Sequence, residues 1–144
     1  MSKKILIVYT SWYEEHISEM LKISKEILKD FDCSTTVAPG ALELSALANQ
    51  KILDSDFKGV LFLGIVIRGE TSHYDLVTRE TFRSISNLSM DKLELAFINN
   101  VICVENIEQL KTRLVKNTTN NAKALIQLIN CLLYTSPSPR DYTR

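Results

Sequence analysis

The stretch Gly64–Val77, which reads GIVIRGETSHYDLV, joins an apolar run at Val60–Leu63 to an amphipathic segment. It has the pattern of a strand that ends, a turn at Gly69 and a helix that starts. In α/β sheets ligands bind where strands end and helices begin, and the unpaired N–H groups of a helix start attract anions. The stretch therefore predicts an anion site, with His73 beside it as a candidate proton acceptor. Taken alone, a histidine at such a place is more often structural than catalytic.

Composition limits the classes of protein to consider. The chain has 144 residues, which suggests one domain, and 45% of them are hydrophobic, enough for a core. A formal net charge of zero disfavours nucleic acid or an anionic membrane as the main partner. The three cysteines lack metal-ligand spacing and indicate free thiols of a reducing compartment. The apolar run near the N-terminus is too short for a signal peptide or a membrane span, so we expect a soluble cytoplasmic protein.

Strand and helix patterns alternate along the chain. We predict strands at 5–9, 34–38, 60–64 (continued loosely through 65–67) and 93–98 (extended through 101–104), and helices at 14–30, 41–53, 72–88, 106–115 and 121–133. Ser72 and Asp75 resemble a capping box at the start of the third helix. The alternation predicts a four-stranded parallel sheet with helices on both faces. Right-handed crossovers then bring the loops at Trp12, 39–41, 68–73 and 99–104 to one rim.

The end of the chain breaks this pattern. Residues 134–144 contain two prolines and almost nothing to bury, so we expect one domain at residues 1–133 followed by a disordered tail. The tail resembles a translated vector remnant that replaces the native end, and a genuine short linker is the alternative.

Three further side chains are candidates for chemistry. Trp12, the only tryptophan, follows the first strand and fits either a core residue or a platform for a flat heterocycle. Glu43 at a helix start either stabilises the helix dipole or accepts hydrogen bonds from ligand hydroxyls. Arg113 is either a solvated cation or the partner of a phosphate. The sequence has no Walker loop and no dinucleotide-binding glycine motif, and no cluster with metal-ligand spacing.

Two long motifs, Pro39–Glu43 and Gly64–Val77, occur in this order and are followed by Glu105–Gln109 before Arg113. Together they resemble the 6,7-dimethyl-8-ribityllumazine synthase family over about Lys4–Leu133. The resemblance implies a flavodoxin-like three-layer α/β sandwich and a homo-oligomer, either a pentamer or an assembly of pentamers. It implies a transferase of riboflavin biosynthesis with two small-molecule substrates, 5-amino-6-ribitylaminouracil and 3,4-dihydroxy-2-butanone 4-phosphate. The products would be 6,7-dimethyl-8-ribityllumazine, phosphate and water, formed without a metal or organic cofactor.

The resemblance also implies a role for each site residue. His73 is the proton shuttle, and Trp12 stacks on the pyrimidine ring. The other residues of the pyrimidine and ribityl site are Ala41, Leu42, Glu43, Ile65, Val66, Ile67 and Asn99. The phosphate is held by Gly69, Glu70, Thr71 and Arg113. In this assignment Asn99 and Arg113 come from the neighbouring subunit, and Arg68 is structural and pairs with a carboxylate.

The sequence departs from the family pattern at several positions. Asn121 stands where the family usually has a phosphate-binding lysine, Ala96 where proline is common, and Asn100 where glycine is usual. These departures motivate an alternative hypothesis, a non-catalytic oligomeric scaffold or a relative that binds a ribityllumazine or flavin. An electron carrier or signalling receiver of the same fold is disfavoured, because no acidic phosphorylation cluster follows the first strand. Trp12 also occupies the loop where a carrier needs a run of Ser, Thr and Gly.

Overall fold

A single parallel sheet forms the centre of the protein. The computed structural model describes residues 2–135, and the side chains of residues 2–132. The elements are β1 (Lys4–Thr10), α1 (Glu14–Ile27), β2 (Asp32–Ala38), a 3-10 turn (Ala41–Glu43), α2 (Leu44–Lys51), β3 (Phe57–Ile67), a 3-10 turn (Arg68–Glu70), α3 (Tyr74–Asp91), β4 (Ala96–Val104) and α4 (Ile107–Thr135). All strand pairs are parallel, in the order β2-β1-β3-β4. The predicted three-layer α/β sandwich is confirmed, and this order is that of flavodoxin-like sheets.

The sheet is buried on both faces because its two central strands are almost entirely apolar. Along β1, Ile5 and Ile7 face one core cluster while Leu6 and Val8 face the other. The first cluster packs against α1 and α4, and the second against α2 and α3. Side chains that alternate between two apolar layers explain why these strands read as continuous hydrophobic runs.

The C-terminal helix differs from the prediction. We expected two helices, at 106–115 and 121–133, but α4 is continuous from Ile107 to Thr135. The intervening residues, 116–120, contain neither glycine nor proline, and weak helix formers such as Asn and Thr cost only about 0.7 kcal/mol or less each relative to alanine. Burial outweighs that cost, since one stripe runs unbroken through both halves. Its buried members are Leu110, Leu114, Thr118, Ala122, Leu125 and Ile129.

Several other boundaries also shift. The segment predicted as one helix at 41–53 is a 3-10 turn followed by α2, and the helix predicted at 14–30 ends at Ile27. Strand β4 starts at Ala96 rather than 93, and it includes Asn99 and Asn100 without interruption. Strand β3 extends to Ile67, so the loosely predicted continuation is regular strand. Helix α3 includes residues up to Asp91, beyond the expected end near 88.

Two further findings concern the end of α4 and the apolar character of the helices. Helix α4 includes Tyr134 and Thr135, which we had assigned to the tail, and the rest of the predicted tail, residues 136–144, lies outside the described residues. Within residues 2–135, no helix combines the length and apolar character that crossing a bilayer requires.

Parallel strands place three of the four predicted loops on one rim. The loops after β1, β2 and β3 carry Trp12, Gly40 and Arg68, and they meet at the carboxyl edge of the sheet. The fourth predicted loop is wrong, because 99–104 lies inside β4, where Asn99 pairs in register with Phe62. The order β2-β1-β3 reverses direction beside β1, which is the switch point where open α/β sheets bind ligands.

Candidate active site

A cleft of about 480 Å³ opens at the switch point between β1 and β3. Its walls come from the loops after the first three strands and from the start of α3. The lining residues are Trp12, Tyr13, Gly40, Ala41, Ile65, Val66, Ile67, Glu70, Thr71 and Val77. The structure thus brings together seven of the predicted site residues: Trp12, Ala41, Ile65, Val66, Ile67, Glu70 and Thr71.

Trp12 is a wall of this cleft and not a core residue. Its side chain is 64% exposed, which rules out the alternative of a core residue. The indole Nε1–H donates a hydrogen bond to the carbonyl oxygen of Pro39, at 3.0 Å, and this bond joins the loops after β1 and β2. An exposed indole held by its polar edge presents a flat apolar face to a ligand.

The floor of the cleft is apolar and rigid. Ile65, Val66 and Ile67 form the end of β3, and all three are buried. Their backbone groups are fixed by pairing with Ile102, Cys103 and Val104 of β4. A flat heterocycle between this floor and Trp12 would contact apolar surface on both of its faces.

Tyr13 is a site residue that the sequence analysis did not identify. Its phenol O–H donates to Oε1 of Glu70 at 2.8 Å, linking the loops after β1 and β3. Burial, followed by the bond to Glu70, raises the pKa of Tyr13 to about 12, so the phenol remains a donor at neutral pH. Its backbone has φ 61° and ψ 53°, in the left-handed region, where a bulky residue costs about 1–2 kcal/mol. Its position beside Trp12 at the end of β1 was the only available signal.

His73 lies in a second, more polar cleft of about 370 Å³. Thr71 lines both clefts and so marks where they meet. His73 is exposed at the N-cap of α3, one residue before the helix in which we had placed it. The predicted capping box is absent, since no side chain caps the helix. Instead, the backbone N–H of His73 donates to Oγ1 of Thr71 at 3.3 Å.

Arg68 explains why Asp75 does not complete the capping box. Its guanidinium pairs with Glu105, at 2.5 Å from Nε to Oε2, and with Asp75, at 3.3 Å. The same group stands 4.2 Å from the ring centroid of Tyr74. The bond to Glu105 is the main reason that the pKa of Arg68 is raised. This confirms the expectation that Arg68 pairs with a carboxylate, and it ties the end of β4 to the start of α3.

Five predicted site residues do not line either cleft: Leu42, Glu43, Gly69, Asn99 and Arg113. Glu43 is adjacent to the first cleft, because Gly40 lines that cleft and a Cβ on Gly40 would stand 3.0 Å from Oε1 of Glu43. The backbone angles at position 69 do not require a glycine, because none of the four glycines, all of which lie within the described residues, has positive φ. A Cβ at position 69 would meet only the carbonyl oxygen of Glu105, at 3.7 Å. Asn99 uses Oδ1 to accept a bond from the N–H of Val101. Arg113 is exposed on α4.

Asn121 lines neither cleft and takes part in a hydrogen-bond network with Asn100 and Thr118. Its Nδ2 donates to Oδ1 of Asn100 at 2.7 Å, and Nδ2 of Asn100 donates to Oγ1 of Thr118 at 3.0 Å. Asn100 is 2% exposed and Thr118 is 0% exposed. The two departures at 100 and 121 are therefore partners, and their contact fastens the middle of α4 to β4.

Two of the three thiols, those of Cys33 and Cys103, are poor candidates for nucleophiles. Cys33 and Cys103 are free, in agreement with the sequence analysis. Burial raises the pKa of Cys103 to about 11 and also raises that of Cys33, so both are protonated at neutral pH. Of the two histidines, His73 is the one that lines a cleft.

Comparisons with known proteins identify the family of this chain. Residues 2–132 match the family model described as 6,7-dimethyl-8-ribityllumazine synthase. A protein of that name from Polynucleobacter necessarius is 31% identical over 142 residues, 93% of this chain and 81% of that protein. The one from Bartonella tribocorum is 33% identical, over 92% of this chain and 91% of that protein. The one from Neisseria meningitidis strain FAM18 is 33% identical, over 90% and 87%. This chain therefore belongs to the 6,7-dimethyl-8-ribityllumazine synthase family.

Proposed function

We propose that this protein is a 6,7-dimethyl-8-ribityllumazine synthase of riboflavin biosynthesis. It condenses 5-amino-6-ribitylaminouracil with 3,4-dihydroxy-2-butanone 4-phosphate, forms 6,7-dimethyl-8-ribityllumazine and releases phosphate and water. The observation that carries the proposal is the cleft, in which the two family motifs meet against Trp12. The Asn121 departure no longer favours a non-catalytic scaffold, since that side chain has a structural partner in Asn100. We place the reaction in the cytoplasm, in keeping with the free thiols.

In the proposed complex the pyrimidine lies between Trp12 and the floor at Ile65–Ile67. The edge of the ring is recognised by backbone groups of β3, and the ribityl chain runs along the loop after β2. Ala41 and Leu42 contact that chain, and the carboxylate of Glu43, which lies against Gly40, accepts hydrogen bonds from its hydroxyls. Asn99 completes the ring site from the neighbouring subunit.

The phosphoryl group is placed at the junction of the two clefts. Gly69 leaves its backbone N–H open to a ligand, since little stands where a side chain would be. Glu70 contributes its backbone N–H, and Thr71 its N–H and hydroxyl, in the turn that leads into α3. The positive end of the 18-residue helix α3 adds to the attraction for an anion.

The reaction requires an imine to form, phosphate to leave and a ring to close. Each step moves a proton, and His73 stands next to Thr71, where the ketone carbon chain and its phosphate would meet the pyrimidine amine. Proton transfer by one positioned histidine contributes about 10²–10⁴-fold. Most of the remaining acceleration comes from holding two substrates in one preorganised cleft.

Arg113 is the cation that we assign to the phosphate. It is exposed and lines neither cleft of its own chain, whereas the guanidinium of Arg68 is already held by two carboxylates. We therefore place the Arg113 that serves each site on the neighbouring subunit of a homo-oligomer, a pentamer or an assembly of pentamers. Heterologous contacts of this kind close into rings and repeat the same shared site around the ring.

Subunit mixing tests both the activity and the shared site. His73→Ala and Arg113→Ala subunits are each expected to be nearly inactive at low concentrations of the phosphorylated substrate. After co-refolding at equal amounts, about one quarter of the sites in a ring would combine an intact His73 with an intact Arg113 from the next subunit. Recovery of about one quarter of the wild-type rate supports the proposal. No recovery in a mixed oligomer of verified composition would contradict the shared site.

A further inference from the structure

A hydrogen bond between Tyr13 and Glu70 joins two residues that line the first cleft. It connects two loops that are 57 positions apart in the sequence, at a distance of 2.8 Å. It is made by the one non-glycine residue with positive φ in the described chain, residues 2–135. A bulky residue persists in the left-handed region only where the surrounding structure fixes it, and such outliers concentrate at ligand sites.

Glu70 poses an electrostatic problem for the proposed phosphate site. Its backbone belongs to the turn that would hold the phosphoryl group, while its side chain carries a negative charge that repels the same group. Within residues 2–132 Glu70 makes no ion pair, because the nearby Arg68 is engaged by Glu105 and Asp75. The partner of its carboxylate is the neutral phenol of Tyr13.

The contact fixes the direction in which that carboxylate points. Tyr13 and Glu70 both line the first cleft, beside Trp12, and neither lines the second cleft, which contains Thr71 and His73. The hydrogen bond therefore holds the charge on the Trp12 side of the junction. Without the phenol, an exposed glutamate would rotate freely and sample positions near the junction at Thr71.

We propose that Tyr13 is a positioning residue of the phosphate site, whose hydroxyl holds the carboxylate of Glu70 away from the bound phosphoryl group. This inference rests on the proposed function, since it takes the turn Gly69–Thr71 as the seat of the phosphate. It assigns to Tyr13 an effect on one substrate only. The pyrimidine contacts the aromatic ring of Tyr13, which phenylalanine would preserve. The phosphorylated substrate is instead affected by the negative charge of Glu70, whose position depends on the Tyr13 hydroxyl.

The test is a cycle of Tyr13→Phe and Glu70→Gln, alone and combined, with Tyr9→Phe as the matched control. Tyr9 lies on β1 and packs against the first core cluster, and among residues 2–132 its hydroxyl has no hydrogen-bond partner. Tyr13→Phe is expected to raise the KM for the phosphorylated substrate about 3- to 10-fold, the scale of one poorly screened charge. The KM for the pyrimidine and the kcat should change less than about 2-fold.

The Glu70→Gln background separates charge control from simple structural damage. There the carboxylate is absent, so adding Tyr13→Phe is expected to change the KM for the phosphorylated substrate less than about 2-fold. A Tyr13→Phe effect of the same size in both backgrounds, or an equal rise in both KM values, would overturn the proposal. So would a Tyr9→Phe effect as large as that of Tyr13→Phe.

Calorimetric titration with inorganic phosphate gives a readout that does not depend on turnover. Tyr13→Phe should weaken phosphate binding in the Glu70 background and leave it nearly unchanged in the Glu70→Gln background. If wild-type protein forms no product but this pattern appears, the proposed function fails and the positioning role stands. If product forms and phosphate binding is indifferent to Tyr13→Phe in both backgrounds, the positioning role fails and the function stands.

Discussion

Substitution of Gly59 by alanine tests the packing of the continuous helix α4 on the sheet. Gly59 lies in β3, and a Cβ there would stand 2.8 Å from Cδ1 of Ile129 and 3.1 Å from Cδ1 of Leu125. The atom at 2.8 Å is nearer than van der Waals contact allows, so the side chains of α4 must shift. Overpacking of this kind costs about 1–3 kcal/mol, and Gly→Ala returns about 0.4–1 kcal/mol through the unfolded chain. The net loss expected for Gly59→Ala is about 1–2 kcal/mol.

Gly64→Ala is the matched control on the same strand. A Cβ at Gly64 would meet Val101 at 3.4 Å and Leu44 at 3.6 Å, which are ordinary contacts. We expect its free energy of unfolding to stay within about 0.5 kcal/mol of wild type. Thermal unfolding followed by circular dichroism, at one protein concentration because oligomers make Tm concentration-dependent, should show Gly59→Ala lower by about 3–8 °C.

Ile129→Val identifies the atom responsible. It removes the Cδ1 that the new Cβ would meet, so the double variant should be more stable than the sum of the two single effects by about 1 kcal/mol. A Gly59→Ala loss no larger than that of Gly64→Ala, or strict additivity with Ile129→Val, would refute the packing of α4 against the start of β3.

Three further predictions concern the site and its support. His73→Ala should lower kcat at least about 100-fold and leave the dissociation constant of the pyrimidine, measured by titration, within about 3-fold; a larger effect on binding than on turnover would contradict the proton shuttle. Asn100→Ala leaves the hydroxyl of Thr118 and the amide of Asn121 without a partner, so it should lower the free energy of unfolding by about 2–3 kcal/mol. Urea unfolding measures this loss, and a loss below about 0.5 kcal/mol would contradict the network. The pKa of Tyr13, raised from 10.0 to about 12, predicts that its phenol ionises late in an absorbance titration, and burial also raises the pKa of Tyr74. Since this pKa lies above the unfolded value, the stabilisation by the protonated phenol is complete below about pH 10 and is lost as the pH rises through about 12. The absorbance change near pH 12 should shrink in Tyr13→Phe and its Tyr13 part should move to lower pH in Glu70→Gln, and an unchanged titration curve would contradict the assignment.

The architecture could be predicted because the strands of the sheet and the helices that cover it have different hydrophobic patterns in the sequence. Strands buried on both faces read as apolar runs, and helices that cover one face read as stripes, so the order of elements followed directly. The wrong prediction of two helices in place of α4 arose from residues 116–120, whose threonine and asparagine side chains suggest a break in the helix. Burial of Thr118 and Ala122 on the sheet overrides that local preference, and such a contact is not visible in a local pattern.

The site was predictable to the extent that it lies on loops adjoining strand ends. Trp12, Ala41 and Thr71 meet as expected, because parallel strands bring their following loops to one edge. Tyr13 was missed, since its role depends on a backbone conformation and on a partner 57 positions away. The capping box was wrong because the N-cap is His73 rather than Ser72, and because Asp75 pairs with Arg68. Neither contact has a sequence signature.

Turnover by the wild-type protein tests the central claim most directly. The purified protein is mixed with 5-amino-6-ribitylaminouracil and 3,4-dihydroxy-2-butanone 4-phosphate, and the product is followed by its absorbance and fluorescence, with phosphate release measured in parallel. Our account predicts that 6,7-dimethyl-8-ribityllumazine and phosphate appear in equal amounts, well above the rate without protein. Folded protein that binds the pyrimidine and forms no product above that background would contradict it.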